Sequence, residues 1–153
     1  MKKTTATLLI AALLPLAAQA QDNAEKLVAS MRKAEMSYKE LMVIMGKSIG
    51  MMQEGVLTQN RELVEQGAHI IFTHPAPNHA PWDIMKPENK AGFKQALVTY
   101  DVVLDEHTSG ILKGSRVRDW QAAAGSLSDL QNACISCHMQ WKNKAEKWPA
   151  ALR

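Results

Sequence analysis

Apolar residues recur at intervals of three and four along almost the whole chain after residue 22, and no stretch alternates convincingly between apolar and polar positions. This spacing is typical of amphipathic helices that each turn one face toward a shared core. It predicts a first helix over about residues 23–53, ended by Gly55. A second helix is predicted over about residues 58–71. The apolar stripe of the first helix is Met31, Ala34, Tyr38, Leu41, Met45, Ile49 and Met52.

Residues 73–81 contain three of the six prolines and are predicted to form a loop between the second and third helices. Pro87 suits the first turn of the third helix, where the missing N–H costs nothing, and Gly110 or Gly114 ends that helix. Ser115 or Asp119 is predicted to cap the fourth helix. The two expected stripes are Phe93, Leu97, Tyr100, Leu104 and His107, and then Val117, Trp120, Ala124, Leu127, Gln131, Cys134, His138 and Trp141. Four such helices predict an all-α fold, an antiparallel four-helix bundle that holds a cofactor between facing helices.

The first twenty residues have the three parts of a secretory signal peptide. A basic start, Met1-Lys2-Lys3, precedes an apolar run over residues 6–18, and Ala18-Gln19-Ala20 is a small-x-small cleavage site. The apolar run is shorter than the ~20 residues of a membrane span. We therefore expect cleavage after Ala20, a mature domain over residues 21–153 in a bacterial periplasm, and no membrane span after cleavage. An uncleaved anchor is the alternative.

The length and net charge of the chain limit the classes of function that it can have. The 133 residues left after cleavage at residue 20 are enough for one domain with its own core. Removing Lys2 and Lys3 lowers the basic residues from 18 to 16 against 15 acidic ones, so the mature net charge is +1. Nothing in this balance points to a nucleic-acid partner.

The strongest chemical signal is Cys134-Ile135-Ser136-Cys137-His138, which contains the only two cysteines of the chain. Two thiols at this spacing, followed at once by histidine, are typical of covalent haem c attachment. Cys134 and Cys137 would form thioethers at one edge of the porphyrin, and His138 would be the proximal iron ligand. A redox dithiol would instead sit after a strand at a helix start, and a zinc site would need two further ligands.

The sequence resembles the class II cytochromes c, the family of cytochrome c prime, and in particular its low-spin, methionine-ligated branch. Those proteins also carry the haem motif on the last helix of a four-helix bundle. Their first helix contains Leu-Met-x-x-x-Gly-x-x-(apolar), and this chain reads Leu41-Met42-Val43-Ile44-Met45-Gly46-Lys47-Ser48-Ile49. The resemblance implies that Met42 is the distal iron ligand and that Gly46 makes room for the porphyrin. It further implies a homodimer, because relatives often pair through their first two helices.

The resemblance covers roughly residues 24–146 and has two departures. Tyr38 stands where relatives often have an arginine near a haem propionate, and Lys142 follows Trp141 where arginine is usual. Met45 and then Met36 are the alternatives to Met42, since a methionine stripe is also typical of an ordinary core. Trp120 and Trp141 are expected to pack beside the porphyrin, and His74 and His79 to be solvated in the proline-rich loop. A surface metal ligand or a distal haem ligand is the alternative role for either histidine.

These observations favour a periplasmic monohaem cytochrome c that exchanges single electrons with redox partner proteins and is not an enzyme. With His138 and Met42 both bound, no substrate could reach the iron. The alternative is five-coordinate binding of nitric oxide or carbon monoxide, as in cytochrome c prime. A third hypothesis is a haem-bearing subunit or sensor whose partner matters more than its redox cycle. Whether Met42 occupies the sixth position distinguishes the first two.

Overall fold

The computed structural model describes residues 16–146, with side chains from Asn23 onward. This part of the chain is mostly helical. The five α-helices within it are α1 (Leu16–Ser30), α2 (Tyr38–Leu57), α3 (Arg61–Thr73), α4 (Pro87–Arg116) and α5 (Trp120–Trp141). The segments between and after these helices contain two strands of two residues each, β1 (Lys33–Ala34) and β2 (Ala76–Pro77). They also contain two short 3₁₀ helices, Pro81–Ile84 and Lys142–Lys144. Most of the predicted signal peptide, residues 1–15, lies outside the described residues, and its predicted cleavage point falls within α1.

The single first helix predicted over residues 23–53 is wrong, because the chain breaks between α1 and α2. Ser37 starts α2 with a capping box, in which its hydroxyl accepts from the Glu40 N–H and the Glu40 carboxylate accepts from the Ser37 N–H. The apolar stripe continues through the break because Met31, Ala34 and Tyr38 all face the interior in part. Spacing alone therefore did not reveal the break.

Helices α2 to α5 pack in a ring, each against two of the others, and α1 packs along α4. The core between them is apolar and includes Met52, Val64, Ile111 and Leu130, all of which are fully buried. The Lys94 ammonium binds the Glu25 carboxylate at 2.6 Å and so joins α4 to α1. No helix within residues 16–146 is long and apolar enough to cross a membrane.

The connections α2–α3 and α4–α5 are built in the same way. Each helix ends in a Schellman motif, with a left-handed residue after the cap, Gln59 (φ 56°) or Arg118 (φ 61°). The next residue, Asn60 or Asp119, then caps the following helix with its side chain. The expected cap at Asp119 and the expected start at Pro87 are both confirmed.

Gly55 does not end its helix as predicted but lies within the last turn of α2. Helix α4 ends at Arg116, near Gly114 as expected, and Gly114 lies within its last turn. A Cβ on Gly55 would come within 2.8 Å of the Val64 backbone nitrogen, and one on Gly114 within 2.7 Å of the Ala123 nitrogen. Each glycine therefore lets the start of the next helix approach its own helix closely.

We expect Gly55→Ala and Gly114→Ala each to lower the free energy of unfolding by ~1–3 kcal/mol, because the added methyl group meets backbone that cannot move aside. Gly50→Ala is the matched control, since a Cβ there meets no atom within 4 Å. Gly50 lies at an exposed position of α2, so alanine should stabilise the protein by about 0.5–1 kcal/mol. Urea unfolding of the three variants measures both effects. Equal destabilisation by all three substitutions would contradict this account.

The predicted stripe of the fourth helix is correct at Leu127 and Trp141 but wrong at Val117 and Ala124. Val117 is 70% exposed and precedes α5, and Ala124 is also exposed. The buried positions of α5 are Ala123, Leu127, Leu130 and Trp141. The prediction assigned part of the buried face of α5 to a neighbouring face of the helix. The reason is that the predicted stripe begins at Val117, which is the C-cap residue of α4.

Candidate functional site

A mostly apolar cavity of about 180 Å³, partly open to solvent, lies between α2, α4 and α5. The last residues of α1 and the segment that follows α3 complete its wall. Its lining includes all four residues predicted to hold haem, namely Met42, Cys134, Cys137 and His138. The remaining lining is mainly aliphatic and aromatic, with Leu27, Val28, Leu41, Ile49, Leu97 and Leu104 among it. Residues far apart in the sequence are thus brought to one space.

Cys134, Cys137 and His138 lie in the last two turns of α5, before the helix ends at Trp141. Residues three and four apart share one face of a helix, so the two thiols and the imidazole are neighbours there. Both cysteines are half-buried, whereas His138 is exposed although it lines the cavity. Ile135 and Ser136, between the cysteines, are exposed on the outer side of α5. The helix therefore turns the three chemically active side chains toward the cavity together.

The environment of the two thiols disfavours the reactive thiolate. Burial raises the pKa of Cys134, and burial together with the neighbouring Cys134 raises the pKa of Cys137 to about 11. Reactive dithiols have the opposite property, a lowered pKa produced by a helix N-terminus or a nearby cation. Cys134 and Cys137 lie at the other end of their helix. The redox-dithiol alternative therefore gains no support from this geometry.

The zinc alternative gains no support either. Within residues 16–146, no group of three or more histidine, cysteine, aspartate or glutamate side chains is arranged to hold a metal ion. A structural zinc site needs four such ligands in a tetrahedron.

Three methionines line the cavity, namely Met31, Met42 and Met45. Met42 and Met45 lie on α2, where Met42 is half-buried and Met45 is only 8% exposed within the core. Met36, the third candidate named from the sequence, packs against the core but does not line the cavity. Met31 was missed as a candidate because it was read as part of a continuous helix stripe.

Gly46 lies one turn after Met42 and also lines the cavity. A Cβ on Gly46 would meet no atom within 4 Å, so the backbone of α2 borders open space at this point. This agrees with the expectation that a missing side chain leaves room for a planar group.

The residues around the cavity fit a covalently bound haem. Two thiols, an imidazole and a thioether are one donor set that can hold a c-type haem, and all four residues line one mainly apolar space. The mainly hydrocarbon wall suits a large apolar group better than a small polar ligand.

The polar part of the cavity wall consists of His74, Tyr100 and Asp101. Tyr100 belongs to the stripe predicted for the third helix, whereas the sequence analysis did not identify Asp101. His74 was expected to be solvated, but it is half-buried and faces the cavity. Burial and the neighbouring Asp105 raise the pKa of Asp101, and the nearby His74 partly offsets this rise. Tyr38 is also in the wall, and burial, with a smaller effect of Cys137, raises its pKa.

Neither Trp120 nor Trp141 lines the cavity, contrary to expectation. Trp120 begins α5 and packs on the core at the opposite end from the cysteines. Trp141 is buried against Phe93, with ring centroids 5.5 Å apart. Phe93 in turn makes an edge contact with Tyr38, at 6.2 Å between centroids. Trp141 therefore supports the cavity wall from behind.

Comparisons of this chain with protein-family models, curated proteins and solved structures find no match.

Proposed function

We propose that this chain is an exported monohaem c-type cytochrome that carries single electrons between redox partner proteins. The observation that carries the proposal is the convergence of Cys134, Cys137, His138 and Met42 on one apolar cavity. The resemblance of the sequence motifs to those of the class II cytochromes c also supports it. In the proposed arrangement, α2 to α5 form an antiparallel four-helix bundle around a haem c, and α1 covers one side of it.

Each proposed role follows from the chemistry of the side chain. The sulfurs of Cys134 and Cys137 would tether the porphyrin through two thioether bonds, and His138 would offer a neutral imidazole nitrogen on the same helical turn. Met42 offers a thioether sulfur from α2. The haem supplies exchange of one electron between ferric and ferrous iron. A thioether ligand favours the ferrous state, so Met42 raises the reduction potential.

The cavity wall suits electron transfer better than catalysis. Its leucine, isoleucine and valine side chains would give the iron mainly apolar surroundings, which would further disfavour the more highly charged ferric state. When His138 and Met42 both bind the iron, no position remains for a substrate. The proposed activity is therefore exchange of electrons with other proteins, in the periplasm, to which the signal peptide would direct the chain.

The absorption spectrum of the exported, purified holoprotein tests this proposal. We expect haem that acidified organic solvent does not extract, sharp low-spin bands after reduction, and a weak far-red band from sulfur to ferric iron after oxidation. Extraction of the haem by acid would contradict covalent attachment. A high-spin protein that readily binds carbon monoxide at neutral pH would contradict the electron-carrier role and favour the gas-binding alternative.

A further inference from the structure

We propose that His74 is a second axial-ligand residue, able to occupy the same distal iron position as Met42. The inference rests on the proposed function, because it needs haem in the cavity. Its starting point is that His74 and Met42 line the same cavity although they belong to different elements. Met42 lies on α2, whereas His74 is the first residue after α3.

The backbone around His74 is held firmly against the cavity. The next residues, Ala76 and Pro77, pair in parallel with Lys33 and Ala34, and the Ala76 N–H donates to the Arg32 carbonyl at 2.9 Å. Residues 75–77 are all buried, and the two prolines among them fix their φ angles. A side chain on such a segment has a defined direction, unlike that of a solvated loop residue.

The hydrogen bond that the His74 imidazole makes leaves its Nε2 nitrogen available to bind a metal. His74 Nδ1 lies 3.2 Å from the Pro75 carbonyl oxygen. Because a carbonyl can only accept, Nδ1 carries the proton in this contact, and the lone pair of the neutral ring is on Nε2. Histidines that bind metals usually donate their other N–H to a carbonyl or carboxylate in this way, which fixes the tautomer and the ring orientation.

Two donors of different softness would then compete for one position. The thioether of Met42 prefers ferrous iron, and the imidazole of His74 binds well to either oxidation state. The structure thus points to a low-spin iron that persists when Met42 is lost, with His138 and His74 as the two ligands.

The test uses the full-length exported holoprotein and the variants Met42→Leu, Met42→Leu/His74→Ala and Met42→Leu/His79→Ala. Leucine fills nearly the same volume as methionine but cannot bind iron. His79 is the matched control, since it lies in the same segment but does not line the cavity. Electron paramagnetic resonance and carbon monoxide binding report the ligands directly. If alanine at position 74 prevents folding, Met42→Leu/His74→Phe keeps a ring there without the nitrogen.

We expect Met42→Leu to lose the far-red sulfur band, to remain low-spin with a bis-imidazole resonance, and to bind carbon monoxide slowly. Adding His74→Ala should make the iron high-spin and open to carbon monoxide, whereas adding His79→Ala should change nothing. A Met42→Leu protein that is already high-spin, and that His74→Ala does not alter, would overturn the inference. Wild-type protein without covalent haem, seen by mass spectrometry, would instead refute the proposed function itself.

Discussion

Replacing both Cys134 and Cys137 with alanine is expected to abolish covalent haem attachment completely. Each substitution removes one sulfur from the cavity wall, and the described residues offer no other thiol. Mass spectrometry of the intact protein should show the haem mass on the wild type and its absence from the double variant. Each single variant should keep at most one thioether.

The same double variant should lose much of its stability. An apolar cavity of about 180 Å³ is left without its occupant. Because voids cost stability in proportion to their size, this space should lower the free energy of unfolding of the haem-free protein. A small domain has a total free energy of unfolding of only ~5–15 kcal/mol. We therefore expect a helical but loosely packed apoprotein with broad thermal unfolding.

Cys134→Ser/Cys137→Ser is a useful second haem-free variant, because its hydroxyls cannot form thioethers. Comparing it with the alanine pair tests whether the result depends on the residue that replaces cysteine. Sharp unfolding of either haem-free variant close to that of the holoprotein would contradict a haem-dependent core. Covalent haem in the double variant would contradict the attachment site itself.

Most of the helical structure could be predicted from the sequence because its signals are local. The start at Pro87 and the cap at Asp119 depend on side chains within one turn of the helix they begin. The break before α2 also has a local signal, the capping box of Ser37 and Glu40, which the continuous apolar stripe concealed. By contrast, the sequence does not show whether a glycine ends a helix or lets a second helix pack closely against it. Gly55 and Gly114 both allow the close approach of the next helix.

The candidate site likewise has one part that local sequence signals predict and another part that they do not. Cys134, Cys137 and His138 are close in sequence, so one helical turn predicts their arrangement. Met42 was named by resemblance, and the structure brings it to the same cavity without choosing between it and Met45. The sequence could not distinguish His74 from His79 as a possible ligand, because the direction of the His74 side chain depends on the pairing of β2 with β1, a contact between distant segments. Three prolines nearby made this segment look like a solvated loop.

The second large effect is expected from Met42→Leu, which should remove the far-red band of the oxidised protein and lower the reduction potential. The band requires a sulfur bound to ferric iron, and leucine supplies none. The potential should fall because ferrous iron loses its preferred thioether ligand. Each tenfold loss in the preference of the site for ferrous over ferric iron lowers the potential by about 59 mV. Spectroelectrochemical titration measures both effects on one sample.

Met45→Leu and Met31→Leu are the decisive comparisons, since these methionines also line the cavity. Each removes one sulfur while nearly keeping the side-chain volume, so any loss of the band identifies the ligand rather than a packing defect. Met51→Leu, on α2 but outside the cavity wall, controls for substitution within the helix. We expect the band to survive in all three. If it disappears in Met45→Leu and persists in Met42→Leu, the ligand is Met45. In that case the family resemblance would have identified the correct helix, α2, but a residue one turn away from the methionine that binds the iron.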